Sequence, residues 1–166
     1  KKLVGDYYMK KIKIGEKVKN FTAQSTNKVD FNLKDQLKGN TILFFYPKDN
    51  TPGCTQEGID FSEHLRKFKN KNSQVFGISR DSLKSHNNFK EKFKFKFDLI
   101  SDTDEKICNM FDVIKEKSMY GKKYMGVERS TFIINEKGIL IKEWRKVKVK
   151  NHALEVLDFI NEYTKN

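Results

Sequence analysis

Cysteine and proline are scarce in this chain of 166 residues. It has two of each, and the cysteines, Cys54 and Cys108, do not form a CxxC pair. A disulfide framework needs more cysteines, and a structural zinc site needs more ligands than these cysteines and the three histidines supply. So few cysteines are typical of a reducing, intracellular compartment, and we expect no metal or other cofactor.

Long apolar segments are also lacking. No run approaches the ~20 residues that cross a bilayer. The first residues, Lys1 to Asp6, contain no apolar segment of a secretory signal. No linker rich in Pro, Gly or Ser divides the chain. We therefore expect a soluble protein without membrane association, with a basic N-terminal tail over residues 1–14 and one domain over residues 15–166.

The charge is strongly positive, because 34 Lys and Arg residues outnumber 22 Asp and Glu residues and give a formal net charge of +12. Clustered lysines would favour nucleic acid as a partner, since they displace counterions. Here the lysines are dispersed and acidic residues lie between them, which is typical of a solvated surface. The densest basic runs, at 10–13 and 145–150, are the candidate nucleic-acid patches, and cytoplasm and nucleus both stay open as locations.

The sequence places Cys54 between a strand and a helix. The run at 41–46 is apolar and rich in aromatic and β-branched residues, which predicts a strand buried on both faces. Two prolines and a glycine end this strand, and apolar residues then recur at helical spacing over 55–68. A helix start offers unpaired N–H groups and partial positive charge, which stabilise the nucleophilic thiolate. The alternative for a lone cysteine is a small buried core residue.

The rest of the chain predicts an α/β fold around a mixed sheet. Alternating apolar and polar residues predict a β-hairpin over 21–33 and another over 129–144. The other predicted segments are a buried strand at 73–79, a helix at 82–94 capped by Asp81 or Ser82, a strand at 97–100, a helix at 104–111, a long loop at 113–127 and a last helix capped by Asn151. Strands that first alternate with helices and then pair as a hairpin fit a thioredoxin-like arrangement.

The segment around Cys54 resembles a known family. Pro47-xxx-Thr51-xx-Cys54 is similar to the active-site motif of the peroxiredoxins, and 44–55 as a whole resembles the bacterioferritin-comigratory, or peroxiredoxin Q, branch. Similar segments at 81–86, 119–132 and 144–150 extend the resemblance over about residues 15–162. The resemblance implies a thiol-dependent peroxidase in which Cys54 attacks hydrogen peroxide or an alkyl hydroperoxide and becomes a sulfenic acid.

The same resemblance implies roles for residues around the thiol. Thr51 would hydrogen-bond the peroxide, and Pro47 would shield the pocket. Arg129 would favour the thiolate and polarise the peroxide oxygen, although from the residues alone it would be a surface charge. Gly53 lets the backbone approach closely. Glu57, one helical turn after the cysteine, would orient the arginine, and an ordinary first-turn acid is the alternative for it.

This chain lacks the resolving cysteine that many members of the branch carry. Position 59 is Ile59, and the corresponding place in the helix after Ser82 is Lys90. Cys108 lies one turn from Phe111 and is expected to be buried as a small apolar residue. We therefore predict a monomer with one-cysteine chemistry, in which thioredoxin, glutaredoxin or glutathione reduces the sulfenic acid through a mixed disulfide.

One function from another class stays open at this point. It is a basic thioredoxin-like module that binds chromatin, nucleic acid or a protein and uses Cys54 only as a redox sensor; the motif favours the peroxidase. We assign no role in the chemistry to the three histidines or to the tryptophan. We expect His64, His86 and His152 at the surface and Trp144 in the core or in a pocket wall.

Overall fold

The computed structural model describes residues 11–165. The predicted tail at 1–14 therefore falls mostly outside the described residues. At its end, Ile12 packs against the core, and the N–H of Gly15 donates to the carbonyl of Leu140 at 2.8 Å. The single domain over residues 15–166 stays a prediction.

The described residues form a mixed α/β fold, as predicted, with five strands in the central sheet. A short 3₁₀ helix, Leu33–Gln36, follows the N-terminal hairpin. In chain order the other elements are β1 (Thr22–Ala23), β2 (Phe31–Asn32), β3 (Asn40–Phe45), α1 (Pro52–Glu63), α2 (Leu65–Asn70), β4 (Ser73–Ser79), α3 (Leu83–Phe93), β5 (Asp98–Ser101), α4 (Lys106–Met110), β6 (Ile114–Met119), β7 (Lys122–Val127), β8 (Ser130–Ile134), β9 (Leu140–Trp144) and α5 (His152–Tyr163).

The central sheet has the order β5-β4-β3-β8-β9. Strands β3, β4 and β5 run parallel, and β8 pairs antiparallel with both β3 and β9. Every residue of β3 is buried, which confirms the strand predicted there. The hairpin predicted over 21–33 is present as the short pair β1 and β2, in which only two residues of each strand are paired.

The sheet separates two hydrophobic cores. Successive side chains of a strand point to opposite faces. Leu43 and Phe45 of β3 therefore belong to one cluster, whereas Ile42, Phe44 and Tyr46 belong to the other. Helices α1, α2, α3 and α5 contribute buried residues to the cluster around Phe44, and α4 contributes to the cluster around Phe45. The two cysteines lie on opposite faces of this sheet, Cys54 with Phe44 and Cys108 with Phe45.

Two predicted helices differ in detail from the structure. The helix predicted over 55–68 is interrupted at His64, but Phe61, Leu65 and Phe68 still pack in one core, so the apolar spacing is kept. Asn151 lies at the start of α5 with a positive φ of 63°, and its side chain makes no capping hydrogen bond. Ser82 does cap α3, because its side chain accepts the N–H of Ser85 at 3.2 Å.

The loop predicted over 113–127 is wrong, because β6 and β7 pair there as an antiparallel hairpin. Tyr120 and Gly121 join the strands with φ values of 52° and 79°, the geometry of a tight two-residue hairpin turn. The strands are mostly exposed and stand outside the central sheet, so their sequence shows no apolar face that would have revealed them.

The surface location predicted for the histidines is wrong for His86 and His152, which are 0% and 3% exposed. Both rings are paired with polar groups. His152 Nε2 lies 2.8 Å from the hydroxyl of Thr131, and burial lowers the pKa of this histidine. Trp144 packs against the core beside His152, as predicted. No described helix is long and apolar enough to span a membrane.

Candidate active site

Cys54 is the third residue of α1 and is 2% exposed. The chain leaves β3, turns through a loop over 47–51 and enters the helix at Pro52, whose fixed φ suits the first helical position. The first N–H groups of a helix have no partner within it, and Thr51 places no side-chain cap on them. The thiol therefore lies at an uncapped, electropositive helix end.

Arg129 and Glu57 lie beside the thiol. Nη2 of Arg129 donates to Sγ of Cys54 at 3.4 Å, and Nη1 donates to Oε1 of Glu57 at 2.7 Å. Arg129 directly precedes β8, the strand next to β3, and Glu57 is one turn along α1. The sheet thus brings Arg129 to two residues of α1 that are more than 70 positions away in the sequence.

The charges of this group depend on one another. Glu57 is 1% exposed, and burial raises its pKa to about 7, although Arg129 acts in the opposite direction. Burial disfavours the charge of Arg129, but Glu57 and Cys54 outweigh it and raise the arginine pKa. Oε2 of Glu57 is buried and has no hydrogen-bond partner among the described residues. The guanidinium therefore binds Glu57 through Nη1 and directs Nη2 at the sulfur of Cys54.

Gly53 lets the arginine approach the backbone closely. A Cβ at this position would lie 3.2 Å from Nη2 of Arg129 and 4.0 Å from a methyl carbon of Val149, and the first distance is tighter than most such contacts. The N–H of Val147 donates to the carbonyl of Arg129 at 3.0 Å. The segment over 145–150 therefore runs along the site.

Thr51 and Pro47 belong to the same loop, but neither forms a hydrogen bond to the thiol in the described structure. The hydroxyl of Thr51 donates to the carbonyl of Lys48 at 2.9 Å. Pro47 is half buried at the start of the loop. The structure therefore places both predicted residues near the beginning of α1 without placing the Thr51 hydroxyl on the sulfur.

Asp49 is the centre of a buried hydrogen-bond cluster that the sequence did not reveal. Its carboxylate accepts the hydroxyl of Tyr46 at 2.6 Å and that of Ser85 at 2.7 Å, and it contacts Nδ1 of His86 at 2.7 Å. Its backbone N–H donates to Asp81 at 2.9 Å. These bonds fasten the loop that carries Thr51 to the start of α3. Burial, with Asp49 adding to it, raises the pKa of Tyr46.

The same cluster contains side chains that can ligate a metal ion. Asp49, Asp81 and His86 offer ligand atoms within 4.8 Å of one another. Their atoms are already engaged, since Nε2 of His86 faces the carbonyl of Ile100 at 2.9 Å and Asp81 accepts the hydroxyl of Ser79. Nδ1 of His86, the ring nitrogen next to the carboxylates, is itself engaged by Asp49 at 2.7 Å. The cluster fits a hydrogen-bonded support better than a metal centre.

Cys108 is completely buried, as predicted, and belongs to the other core. It is in α4, where its backbone N–H donates to Asp102 at 2.7 Å. Burial raises the pKa of its thiol strongly, and Asp102 adds to the effect. Arg145, from the basic run at 145–150, donates to the carbonyls of Phe111 and Asp112, both at 2.8 Å, and so supports the end of α4.

Comparison with known proteins gives a consistent result. Residues 14–143 match the AhpC/TSA family. Peroxiredoxin Bcp of Xanthomonas campestris pv. campestris is 52% identical over 124 residues, which are 75% of this chain and 78% of that protein. Peroxiredoxin Bcp of Bacillus subtilis is 43% identical over 151 residues, which are 91% of this chain and 96% of that protein.

Solved structures agree with this similarity. A PrxQ mutant of Xylella fastidiosa superposes with a TM-score of 0.88 at 41% identity and covers 93% of this chain and 98% of its own. The bacterioferritin comigratory protein of Xanthomonas campestris, solved in a study of its alkyl peroxide reduction activity, has a TM-score of 0.83 at 44% identity. That match covers 87% of this chain and 92% of the other.

Proposed function

The chain belongs to the AhpC/TSA family, as a peroxiredoxin of the Bcp or PrxQ branch, and we propose that Cys54 is the thiol with which it attacks peroxides. The protein is a thiol-dependent peroxidase. The single observation that supports Cys54 is the 3.4 Å contact between its sulfur and Nη2 of Arg129 at an uncapped helix start. A fixed guanidinium favours a thiolate beside it.

The reaction oxidises the sulfur by two electrons. The thiolate of Cys54 attacks one peroxide oxygen, the O–O bond breaks, and its electron pair leaves with the second oxygen, which takes up a proton and departs as water or alcohol. Cys54 is left as a sulfenic acid. Arg129 stabilises the charge that develops on the oxygens, and Glu57 holds Arg129 in place through the 2.7 Å contact.

The loop over 47–51 and Gly53 complete the pocket. Gly53 leaves room for Arg129, and Pro47 shields the sulfur from water. Thr51 turns its hydroxyl from the carbonyl of Lys48 to the bound peroxide and donates a hydrogen bond to it. The hydrogen bonds of Asp49 keep the loop in this position.

The sulfenic acid is recycled by an external thiol. The central sheet separates Cys54 from Cys108, and Cys108 is 0% exposed with a strongly raised pKa. An external thiol instead displaces water to form a mixed disulfide with Cys54, and a second thiol then releases the reduced enzyme and its own disulfide. Thioredoxin, glutaredoxin and glutathione are the reductants that fit this chemistry.

The substrates are hydrogen peroxide and alkyl hydroperoxides, in keeping with the alkyl peroxide reduction studied in the Xanthomonas campestris relative. We place the protein in an intracellular compartment and regard it as a monomer. The alternative is a module that binds chromatin, nucleic acid or a partner protein. In the run at 145–150, Lys146, Lys148 and Lys150 are exposed, whereas Arg145 supports α4. Among the described residues, no contact beyond this exposed charge favours the alternative over the peroxidase.

A peroxidase assay with two matched variants tests the proposal. With a dithiol reductant, Cys54→Ser should abolish peroxide consumption, whereas Cys108→Ser should keep it within about two-fold of wild type. Mass spectrometry of peroxide-treated protein should find a sulfenic acid or a mixed disulfide on Cys54. Equal loss of activity in both variants, or a Cys54–Cys108 disulfide in the oxidised protein, would contradict one-cysteine chemistry.

A further inference from the structure

Lys117 differs from the lysines near the tip of the β6–β7 hairpin and from Lys115, which is partly buried but paired with Asp112 at 3.0 Å. Lys122 and Lys123 are exposed, whereas Lys117 is partly buried and its ammonium donates to the carbonyl of Val127 at 2.6 Å. The side chain therefore does not extend into solvent but folds along the hairpin toward the segment that leads into Arg129.

Gly126 makes room for this path. A Cβ at Gly126 would lie 3.1 Å from Cδ of Lys117, so the aliphatic part of the lysine passes directly over the glycine. Val127, which accepts the ammonium, is two residues before Arg129 in the chain. Two residues span at most about 7 Å, so the ammonium is anchored close to the backbone of Arg129.

The surroundings of the ammonium are dominated by the active site. Burial lowers the pKa of Lys117, and Arg129 and more weakly Arg80 lower it further, while Cys54 and Glu128 act in the opposite direction. Within the described residues no carboxylate forms an ion pair with Lys117. An ammonium has three N–H donors, and the carbonyl of Val127 occupies one of them. The other two N–H donors of the Lys117 ammonium, and its positive charge, can therefore serve a bound substrate.

We propose that Lys117 is a further catalytic residue, which gives a proton to the oxygen that leaves when Cys54 attacks the peroxide. The inference depends on the proposed role of Cys54. The thiolate forms a bond to one oxygen, the O–O bond breaks, and the departing oxygen takes a proton from the ammonium and leaves as water or alcohol. The neutral amine then regains a proton from water.

The chemistry explains why such a donor is useful. Hydroxide and alkoxide are poor leaving groups, since the pKa of water is ~15.7. Arg129 stabilises charge but cannot release a proton in a protein. A lysine whose pKa is lowered is a stronger acid, and general acid catalysis typically contributes about 10²- to 10⁴-fold.

The leaving group provides a direct test. A peracid such as peracetic acid expels a carboxylate, whose conjugate acid has a pKa of roughly 4 and needs no proton donor. Lys117→Met should slow single-turnover oxidation of Cys54 by hydrogen peroxide and an alkyl hydroperoxide roughly 100-fold or more, but by peracetic acid less than about three-fold. The peracid rate also shows that the variant has folded with an intact site.

Two further variants sharpen the outcome. Lys117→Arg keeps the charge without a transferable proton and should show the same selective loss, and Lys123→Met, on the exposed part of the hairpin, should behave as wild type. The wild-type rate with hydrogen peroxide should fall at alkaline pH, and Lys117→Met should lack this fall. Equal losses with all three oxidants, full recovery by Lys117→Arg or no loss at all would overturn the proposal, while Cys54→Ser tests the proposed function separately.

Discussion

Cys54 and Cys108 occupy the same position in two helices, the third residue of α1 and of α4, and their exposures are 2% and 0%. Their neighbours nevertheless carry opposite charges. Arg129 lies 3.4 Å from the sulfur of Cys54. At Cys108 the carboxylate of Asp102 takes up the N–H groups of Ile107 and of Cys108 itself, at 3.0 and 2.7 Å.

The difference shows that a helix start does not by itself make a thiol reactive. At α4 an acidic side chain has already occupied the N–H groups that would favour a thiolate, and it adds a negative charge beside the sulfur. At α1 no side chain caps the helix, and a cation is added instead. We infer that the charge of the immediate partner decides which cysteine acts as the nucleophile in the proposed reaction.

The largest expected effect comes from removing the cation at Cys54. Arg129→Met should lower the rate of Cys54 oxidation by roughly 10²- to 10³-fold, because the donor that stabilises the thiolate and the leaving oxygen is lost. Stopped-flow oxidation by hydrogen peroxide measures this rate. The oxidation rate of Arg129→Lys should lie between those of wild type and Arg129→Met, since lysine keeps the charge but not the paired donors.

The matched control is the arginine on the Cys108 side. Arg145→Met removes the hydrogen bonds to the carbonyls of Phe111 and Asp112, which should cost about 1–3 kcal/mol of unfolding free energy. The rate of Cys54 oxidation should change by less than about three-fold. A rate loss as large as that of Arg129→Met would mean that the two sides of the sheet are not independent.

Glu57→Gln is expected to change how stability depends on pH. The pKa of Glu57 rises from 4.5 to about 7 on folding, mainly through burial. Between these values the folded protein holds a proton that the unfolded chain has lost, so the free energy of unfolding should fall as pH rises. The fall should reach up to about 3 kcal/mol, and Gln, which does not titrate, should lack this contribution.

Urea unfolding of wild type and Glu57→Gln at pH 4.5, 6 and 8 measures the difference. The two proteins should be most alike at pH 4.5, and wild type should lose stability relative to the variant as the pH rises. If the unfolding free energies of the two proteins differ by the same amount at all three pH values, Glu57 is ionised throughout, and the effect of Arg129 on its pKa outweighs that of burial.

Gly53→Ala should have a smaller effect on catalysis. The added Cβ meets Nη2 of Arg129 at 3.2 Å and displaces the guanidinium. We expect a rate loss of about 10-fold, the order of one lost contact of ~1.4 kcal/mol, even though alanine favours a helix by up to ~1 kcal/mol. Gln56→Ala, at an exposed position of the same helix, is the control and should react at the wild-type rate.

The smallest effect is expected at Cys108. Cys108→Ala leaves a small cavity in the core and should cost about 1 kcal/mol or somewhat more in unfolding free energy. Peroxide consumption should stay unchanged. A thiol reagent should label the folded variant and folded wild type equally, and it should label one cysteine fewer in the variant than in wild type once both are denatured. Rapid labelling of Cys108 in the folded protein would contradict its burial.

The sequence predicts the parts of this fold that follow apolar periodicity. The buried strand β3, the helix start at Cys54 and the burial of Cys108 all depend on such patterns and are confirmed. The β6–β7 hairpin could not be found in this way, because its strands are mostly exposed and do not repeat an apolar face. Asp49 and His86 were missed because polar residues are buried only when partners from other segments meet them.

Some active-site residues are likewise placed by local sequence, and others only by contacts between distant segments. The position of Cys54 follows from local sequence, since a broken strand followed by a helix places a thiol at the helix start. The contact of Arg129 with Cys54 joins residues from separate elements and was expected only from the family resemblance. Lys117 had no signal at all, because its approach to Arg129 depends on a glycine on the neighbouring strand.

The sheet between the two cysteines also has a consequence for the unfolded chain. An internal disulfide would close a loop and reduce the number of conformations available after unfolding, which commonly stabilises a protein by about 2–4 kcal/mol. Oxidation confined to Cys54 closes no loop. Because Cys54 and Cys108 lie on opposite faces of the sheet, oxidation should leave the conformational entropy of the denatured ensemble unchanged, and the oxidised protein should gain no stability from chain cross-linking.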